Sequence, residues 1–142
     1  MKQVLCALLL ACTLSPIKSF SQTDNPEWVN VVKNNEGDVF FMRTTDIPYN
    51  VENEVKVWVK EIQPSFTLKG RIYKNVTTNY LYIFDCQDRT MELESTATYS
   101  YTGNLITSYE FNDYVKKFQD VIPGAIGEFL LNEACELFNS KN

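Results

Sequence analysis

The sequence contains no histidine among its 142 residues. It therefore lacks the general base of Ser-His and Cys-His nucleophile arrangements, and it lacks the usual zinc ligand sets. Basic residues are outnumbered as well, with 13 Lys and Arg against 18 Asp and Glu. The net charge of −5 disfavours nucleic acid and anionic membrane surfaces as partners, because both are bound through many cationic contacts. The sequence thus predicts neither a histidine-dependent enzyme nor a nucleic-acid-binding protein.

The hydrophobic run near the N-terminus is too short to cross a bilayer as a helix. It extends from Val4 to Leu14, about eleven residues, whereas a spanning helix needs about 20. Lys2 precedes this run, and small residues two positions apart follow it at Ser19 and Ser21. This arrangement is typical of an export signal. We therefore expect residues 1–21 to be a signal peptide.

Cleavage before Gln22 leaves residues 22–142, about 120 residues, which suits one domain. No repeat, low-complexity tract or composition shift divides this part of the chain. An alternative is that Leu9-Leu10-Ala11-Cys12 resembles a bacterial lipobox. In that case an acylated Cys12 anchors the domain to a membrane, and we expect no other membrane association.

Two cysteines, Cys86 and Cys135, remain once the signal peptide is removed. An exported domain with two cysteines far apart in sequence predicts one long-range disulfide. Cys135 lies beside an apolar stripe that predicts a helix from about Ala125 to Phe138. The apolar positions of the stripe are Ile126, Phe129, Leu130, Ala134, Leu137 and Phe138. A disulfide closing a loop of about 50 residues contributes roughly 4 kcal/mol in the chain-entropy model.

The rest of the chain alternates with period two, which is typical of strands. The predicted strands are 27–33, 38–43, 54–62, 79–86, 89–101 and 105–111. In the third of them, Val55, Val57 and Val59 share one face. The sequence therefore predicts an α+β domain with an antiparallel sheet of about six strands. Its C-terminal helix packs on one face of the sheet and is pinned there by the disulfide.

The last hairpin allows a prediction of register. A three-residue loop at residues 102–104 keeps the apolar positions of both strands on one face. It pairs Tyr101 with Leu105 and Ala97 with Tyr109, and it requires a positive φ at residue 103 or 104.

Several short motifs stand in a recognisable order along the chain. They are Trp28, Phe40-Phe41, Val57-Trp58-Val59, Asp85-Cys86 followed by Arg89, Tyr101-Thr102-Gly103-Asn104, and Ile122-Pro123-Gly124 ahead of Cys135. Together they resemble the surface-adhesin protein E family. The resemblance runs from Trp28 to about Phe138, with departures at Phe118, where a Trp is expected, and at Thr102, where an acidic residue often occurs.

The resemblance implies a fold and a function. The implied fold is a sheet of about six antiparallel strands, with a C-terminal helix held on its concave side by a disulfide. The implied function is that of an exported bacterial adhesin, secreted or on the cell surface, which binds host matrix or serum proteins or other proteins. We expect no catalysis and no cofactor. The alternative is a periplasmic or envelope accessory or assembly protein of the same fold, with no host ligand.

Two groups of residues are candidates for contact with a protein partner. Lys69, Arg71, Tyr73 and Lys74 form a basic and aromatic cluster, and Lys56, Trp58 and Lys60 share one face of a strand. Trp, Tyr and Arg concentrate binding energy at interfaces. The structural alternatives are a solvated loop for the first group, and packing of Trp58 against the helix or a loop for the second.

A group of acidic residues is a further candidate for a catalytic or metal site. Asp88, Glu92 and Glu94 fall on one face if their strand is regular. Such a face is a candidate acid pair or calcium site, and a carboxylate hydrolase would have a cleft around it. The alternative is a solvated strand face.

Overall fold

The computed structural model describes residues 27–43, 53–111 and 118–140. The predicted signal peptide and Cys12 lie outside the described residues. The elements are β1 (Trp28–Lys33), β2 (Val39–Arg43), β3 (Glu54–Leu68), β4 (Arg71–Asp85), β5 (Thr90–Tyr99), β6 (Leu105–Glu110), β7 (Gln119–Asp120) and α1 (Ile126–Asn139).

The strands form one antiparallel sheet in which β1 to β6 lie side by side in chain order. The two-residue β7 pairs with the start of β5, where Thr90 opposes Asp120. This topology is a meander, the simplest way to pair consecutive strands through short connections. The predicted α+β fold, with six main strands and a C-terminal helix, is confirmed.

The core lies between the sheet and α1. The predicted alternation of β3 is confirmed, because Val55, Val57 and Val59 are at most 1% exposed. From the helix, Leu130, Leu131 and Ala134 are buried against the same cluster.

One position in the predicted helical stripe is wrong, because Phe129 is 47% exposed. At about 100° per residue, Phe129 lies 160° around the helix from Leu131, which is fully buried. The buried stripe is therefore narrower than the apolar sequence pattern.

The disulfide between Cys86 and Cys135 is confirmed, with a Cα–Cα distance of 5.7 Å. Cys86 directly follows β4, and its backbone N–H donates a hydrogen bond to the Asn53 carbonyl at 2.9 Å. The bond thus connects the end of a central strand to the third turn of α1. It closes a loop that contains β5, β6 and β7.

The β3–β4 hairpin is longer than predicted, since β3 continues to Leu68 and β4 begins at Arg71. Its two-residue turn, Lys69-Gly70, has positive φ at both positions, 48° and 77°, as a type I′ turn requires. The neighbouring strands stop earlier: β2 pairs with β3 only as far as Ile62, and β5 pairs with β4 only from Thr77. Residues 63–76 therefore project beyond the sheet as a two-stranded ribbon, the hairpin tip.

The predicted register of the last hairpin is wrong. Ala97 opposes Ser108 instead of Tyr109, and Tyr99 opposes Leu105. The turn lies one residue earlier than predicted, because the Ser100 N–H donates to the Asn104 carbonyl at 2.8 Å. An irregularity next to Tyr99 then shifts the pairing by one residue, which a β-bulge does. The positive φ predicted for this turn is confirmed at Gly103, with a φ of 82°.

Candidate protein-binding surface

The hairpin tip holds the first predicted group. Lys69 lies in the turn, while Arg71, Tyr73 and Lys74 lie in β4. The loop alternative is therefore wrong for those three residues. Strand alternation places Arg71 and Tyr73 on one face of the ribbon, and the Arg71 guanidinium carbon lies 5.0 Å from the centroid of the Tyr73 ring. Ile72 and Lys74 share the opposite face.

A cleft of about 500 Å³ separates the tip from the turn of the β5–β6 hairpin. Arg71, Ile72 and Lys74 line its β4 side, and Tyr101 and Leu105 lie across from them. Its apolar side chains are unusually exposed: Tyr101 is 80% exposed, Ile72 62% and Leu105 57%. The volume falls within the range of about 300 to 1,000 Å³ that is typical of ligand sites. We refer to this space as the tip cleft.

The tip cleft is positively charged although the chain is acidic. Residues 63–78 and 95–109 contain Lys69, Arg71 and Lys74 but no Asp or Glu. The ion pairs of the described part of the chain involve none of these three cations. A local excess of one charge with no nearby counter-charge creates a potential that attracts a partner of opposite sign.

The second predicted group lies on the sheet face opposite α1, near the centre of the sheet. The Nζ of Lys60 lies 4.4 Å from the centroid of the Trp28 ring and 5.0 Å from that of Phe41. Burial lowers the pKa of Lys60, and the neighbouring carboxylate of Glu27 partly opposes this by favouring the charged form. These contacts are cation–π interactions within the domain.

The other members of this group are also engaged inside the domain. Lys56 forms a salt bridge with Glu94. Trp58 is half-buried and pairs across strands with Leu81. It lies on the face opposite the buried valines, so the predicted alternative of packing against the helix is wrong. We call Lys56, Trp58 and Lys60 the central face.

The structure does not bring the two predicted groups together. Lys60 and Leu68 are eight residues apart on β3, and Leu68 is the cross-strand partner of Arg71. At about 3.3 Å per strand residue, the central face and the tip are roughly 26 Å apart. They are separate surfaces.

The predicted acidic face lacks Asp88. Asp88 lies in the turn after β4, where its N–H donates to Asp85 Oδ1 at 2.8 Å. Glu92 is 5% exposed and Glu94 pairs with Lys56. Glu92 still shares a cross-strand row with Lys56, the ion-pair partner of Glu94, so Asp88 is the residue that departs from the predicted face. Within residues 27–43, 53–111 and 118–140, no group of three acidic or cysteine side chains could hold a metal ion.

A buried polar pair lies where the tip joins the sheet. The Tyr80 hydroxyl donates to Glu61 Oε2 at 2.5 Å. Burial raises the pKa of Glu61, whereas the Tyr80 hydrogen bond lowers it and the nearby charge of Asp38 raises it further. Burial also raises the pKa of Tyr80, and together with Glu61 it raises that of Tyr82 to about 12. Such buried polar contacts hold the base of the ribbon in one arrangement.

Sequence reasoning missed the apolar side of the tip cleft. Tyr101 enters the sequence predictions only through the hairpin register and the family resemblance, and Ile72 lies outside every predicted strand. The signal was present, since β-prone residues flank Lys69-Gly70 on both sides. Pro64 weakens this strand signal, because a proline inside a run argues against a strand unless the strand is at an edge or a bulge.

Most of the chain matches a known protein family. The model described as surface-adhesin protein E matches residues 28–136. No curated protein and no solved structure matches the chain significantly. In the described part of the chain, no helix is long and apolar enough to span a membrane.

Proposed function

Because the chain belongs to the surface-adhesin protein E family, we propose that it is an exported bacterial binding protein that contacts host matrix or serum proteins. On this proposal the protein is adhesin-like and catalyses no reaction. Its signal peptide, residues 1–21, is cleaved before Gln22, and residues 22–142 form the mature domain. The Cys86–Cys135 disulfide supports export, because such bonds persist in oxidising compartments.

The tip cleft is the observation that carries this proposal. It combines exposed apolar side chains with cations that make no ion pair to the described residues. Aromatic and Arg side chains are the types that concentrate binding energy, and exposed apolar patches mark interaction sites. We therefore assign partner contact to Lys69, Arg71, Tyr73 and Lys74.

The central face is the weaker candidate for the same role. Lys56 and Lys60 already have partners inside the domain, so binding a ligand there requires breaking contacts that support the sheet. We propose that Lys56, Trp58 and Lys60 serve the fold first and contribute to binding only through the exposed part of Trp58.

Protease accessibility on bacterial cells tests the proposal. Full-length protein produced in its native host is treated with protease on intact cells and again after the outer membrane is opened. Digestion on intact cells supports an adhesin. Protection until the membrane is opened contradicts it and leaves the periplasmic or envelope accessory protein. The mass of the mature N-terminus then separates cleavage before Gln22 from acylation at Cys12.

A further inference from the structure

We propose that the tip cleft binds an extended acidic peptide segment, which adds as a strand to the exposed edge of β4 at residues 71–74. This inference rests on the proposed function and names the chemistry of the partner. The segment we expect has the pattern acidic, apolar, apolar, acidic.

The backbone of β4 supplies the first part of the argument. The pairing between β4 and β5 ends where Thr77 opposes Tyr99, because β5 then turns at Ser100. Among the described residues, no strand pairs with this side of β4 over residues 71–76. Alternate N–H and C=O groups of an antiparallel strand point away from its partner, so the edge presents donors and acceptors to the cleft. An added peptide strand satisfies such groups.

The side chains of the same segment predict the sequence pattern of the ligand. Along β4 the order is Arg71, Ile72, Tyr73 and Lys74, a cation at each end and apolar side chains between. Residues directly opposite each other on neighbouring strands are in contact. The complementary segment is therefore acidic, apolar, apolar, acidic, and the pattern is the same for parallel and antiparallel addition. Leu105 lines the other wall and extends the apolar surface for the central pair.

The charge of the surroundings favours an acidic ligand. Residues 63–78 and 95–109 carry three cations and no acidic residue. A sulfated polysaccharide or an anionic lipid surface is favoured less, because strand alternation divides Arg71 and Lys74 between opposite faces of the ribbon. A peptide strand can reach both faces at once.

Binding of two labelled peptides of identical composition tests the pattern. The mature disulfide-bonded protein is titrated into fluorescein-labelled Gly-Ser-Glu-Val-Val-Glu-Ser-Gly and into the permuted Gly-Ser-Val-Glu-Glu-Val-Ser-Gly, with anisotropy as the readout. We expect the first peptide to bind about tenfold more tightly, since two exposed charge pairs are gained. Equal affinity would overturn the proposal, because it would mean attraction by charge alone. A heparin fragment or a phosphatidylglycerol vesicle that binds while neither peptide does would overturn it as well.

Backbone methylation tests the strand addition. The first peptide is N-methylated at alternate amides in two complementary sets. We expect one set to abolish binding and the other to be tolerated, because only alternate amides of an added strand face β4. Equal tolerance of both sets would show that no strand is added.

Variants of the protein locate the site. Arg71→Gln and Lys74→Gln should each weaken binding two- to fivefold, and Lys74→Glu should recover affinity for a peptide with one of its Glu residues replaced by Lys. Lys33→Gln, which removes an exposed cation from β1 on the opposite edge of the sheet, is the matched control and should leave the affinity unchanged. Circular dichroism checks that each variant is folded.

The two proposals fail in different ways. If the protein is digested on intact cells and binds a panel of matrix and serum proteins, but neither peptide binds, the strand-addition proposal is wrong and the proposed function stands. If the first peptide binds with the predicted pattern but the protein is shielded on intact cells, the adhesin assignment is wrong and the acidic partner lies inside the envelope.

Discussion

β3 and β4 form a single hairpin, yet its two halves have opposite surroundings. In the inner half, residues 54–62 and 77–85, β2 pairs with β3 over residues 59–62 and β5 pairs with β4 over residues 77–85. α1 covers one face, and every second residue of β3 is buried from Val55 to Glu61. In the outer half, residues 63–76, Val76 is the only buried residue. Burial of apolar surface is the main source of stability. The inner half therefore determines the fold, and the outer half is free to carry side chains selected for binding.

Truncation of a core side chain should lower the free energy of unfolding more than any other change proposed here. Phe84 is fully buried in the inner half, so Phe84→Ala should lower the free energy of unfolding by about 3 to 5 kcal/mol. Ile72→Ala is the matched change in the tip, where the side chain is 62% exposed, and it should change the free energy by less than about 0.5 kcal/mol. Urea unfolding measures both. Similar losses in the two variants would mean that the tip is as important for stability as the core.

Removal of the disulfide should have the next largest effect. The double substitution of Ser for Cys86 and Cys135 should lower the free energy of unfolding by about 2 to 4 kcal/mol, because the unfolded chain gains freedom. Urea unfolding of this variant and of the oxidised protein measures the difference. Thiol labelling of the oxidised mature protein under denaturing conditions should find no reactive thiol. Two reactive thiols would refute the bond.

A change in the tip turn should act locally. Gly70 has a φ of 77°, which a β-branched residue adopts only with strain. Gly70→Val should therefore destabilise the turn by about 1 to 2 kcal/mol and speed amide exchange in residues 63–76. Exchange in the inner half should change much less, because Val76 is the only buried residue of the tip. Lys69→Asn is the control, since Asn suits this turn type, and it should slow exchange at the tip.

The smallest effect should come from the buried carboxyl at the boundary between the halves. Burial raises the pKa of Glu61, so the folded state binds its proton more tightly than the unfolded state does. The ionised form is therefore destabilising at neutral pH, and this penalty disappears as the pH falls towards the unfolded pKa of about 4.3. Glu61→Gln, which keeps an acceptor for Tyr80, should be slightly more stable than the parent protein at neutral pH and equal to it below about pH 4. Unfolding curves across this range check it, and a gap that widens on acidification would contradict the assignment.

The inner half could be predicted from the sequence, and the outer half could not. Val55, Val57 and Val59 alternate because their face of β3 is buried, and the apolar stripe of α1 has the same cause. These two patterns therefore predicted the strand, the helix and the core. In residues 63–76 only Val76 is buried, so burial imposes no comparable hydrophobic pattern on this part of the sequence. Pro64 also argues against a strand in this segment.

Local irregularities limited the prediction of sites. The turn after β4 removes Asp88 from the predicted acidic face, and the shift beside Tyr99 moved Tyr109 to the other side of its strand. Since the side-chain period of a strand is two, a change of one residue reverses every later side chain. The basic cluster was recognised from its composition, but the cleft beside it depends on where a second hairpin turns.

Hydrogen–deuterium exchange with and without the Glu-Val-Val-Glu peptide tests most directly the claim that the tip binds while the inner half supplies stability. The free protein should exchange rapidly over residues 63–76 and slowly in the inner half. Saturating peptide should slow exchange at residues 71–74 and 100–106 alone. Protection centred on Trp58 and Lys60, or no protection at the tip, would contradict the account.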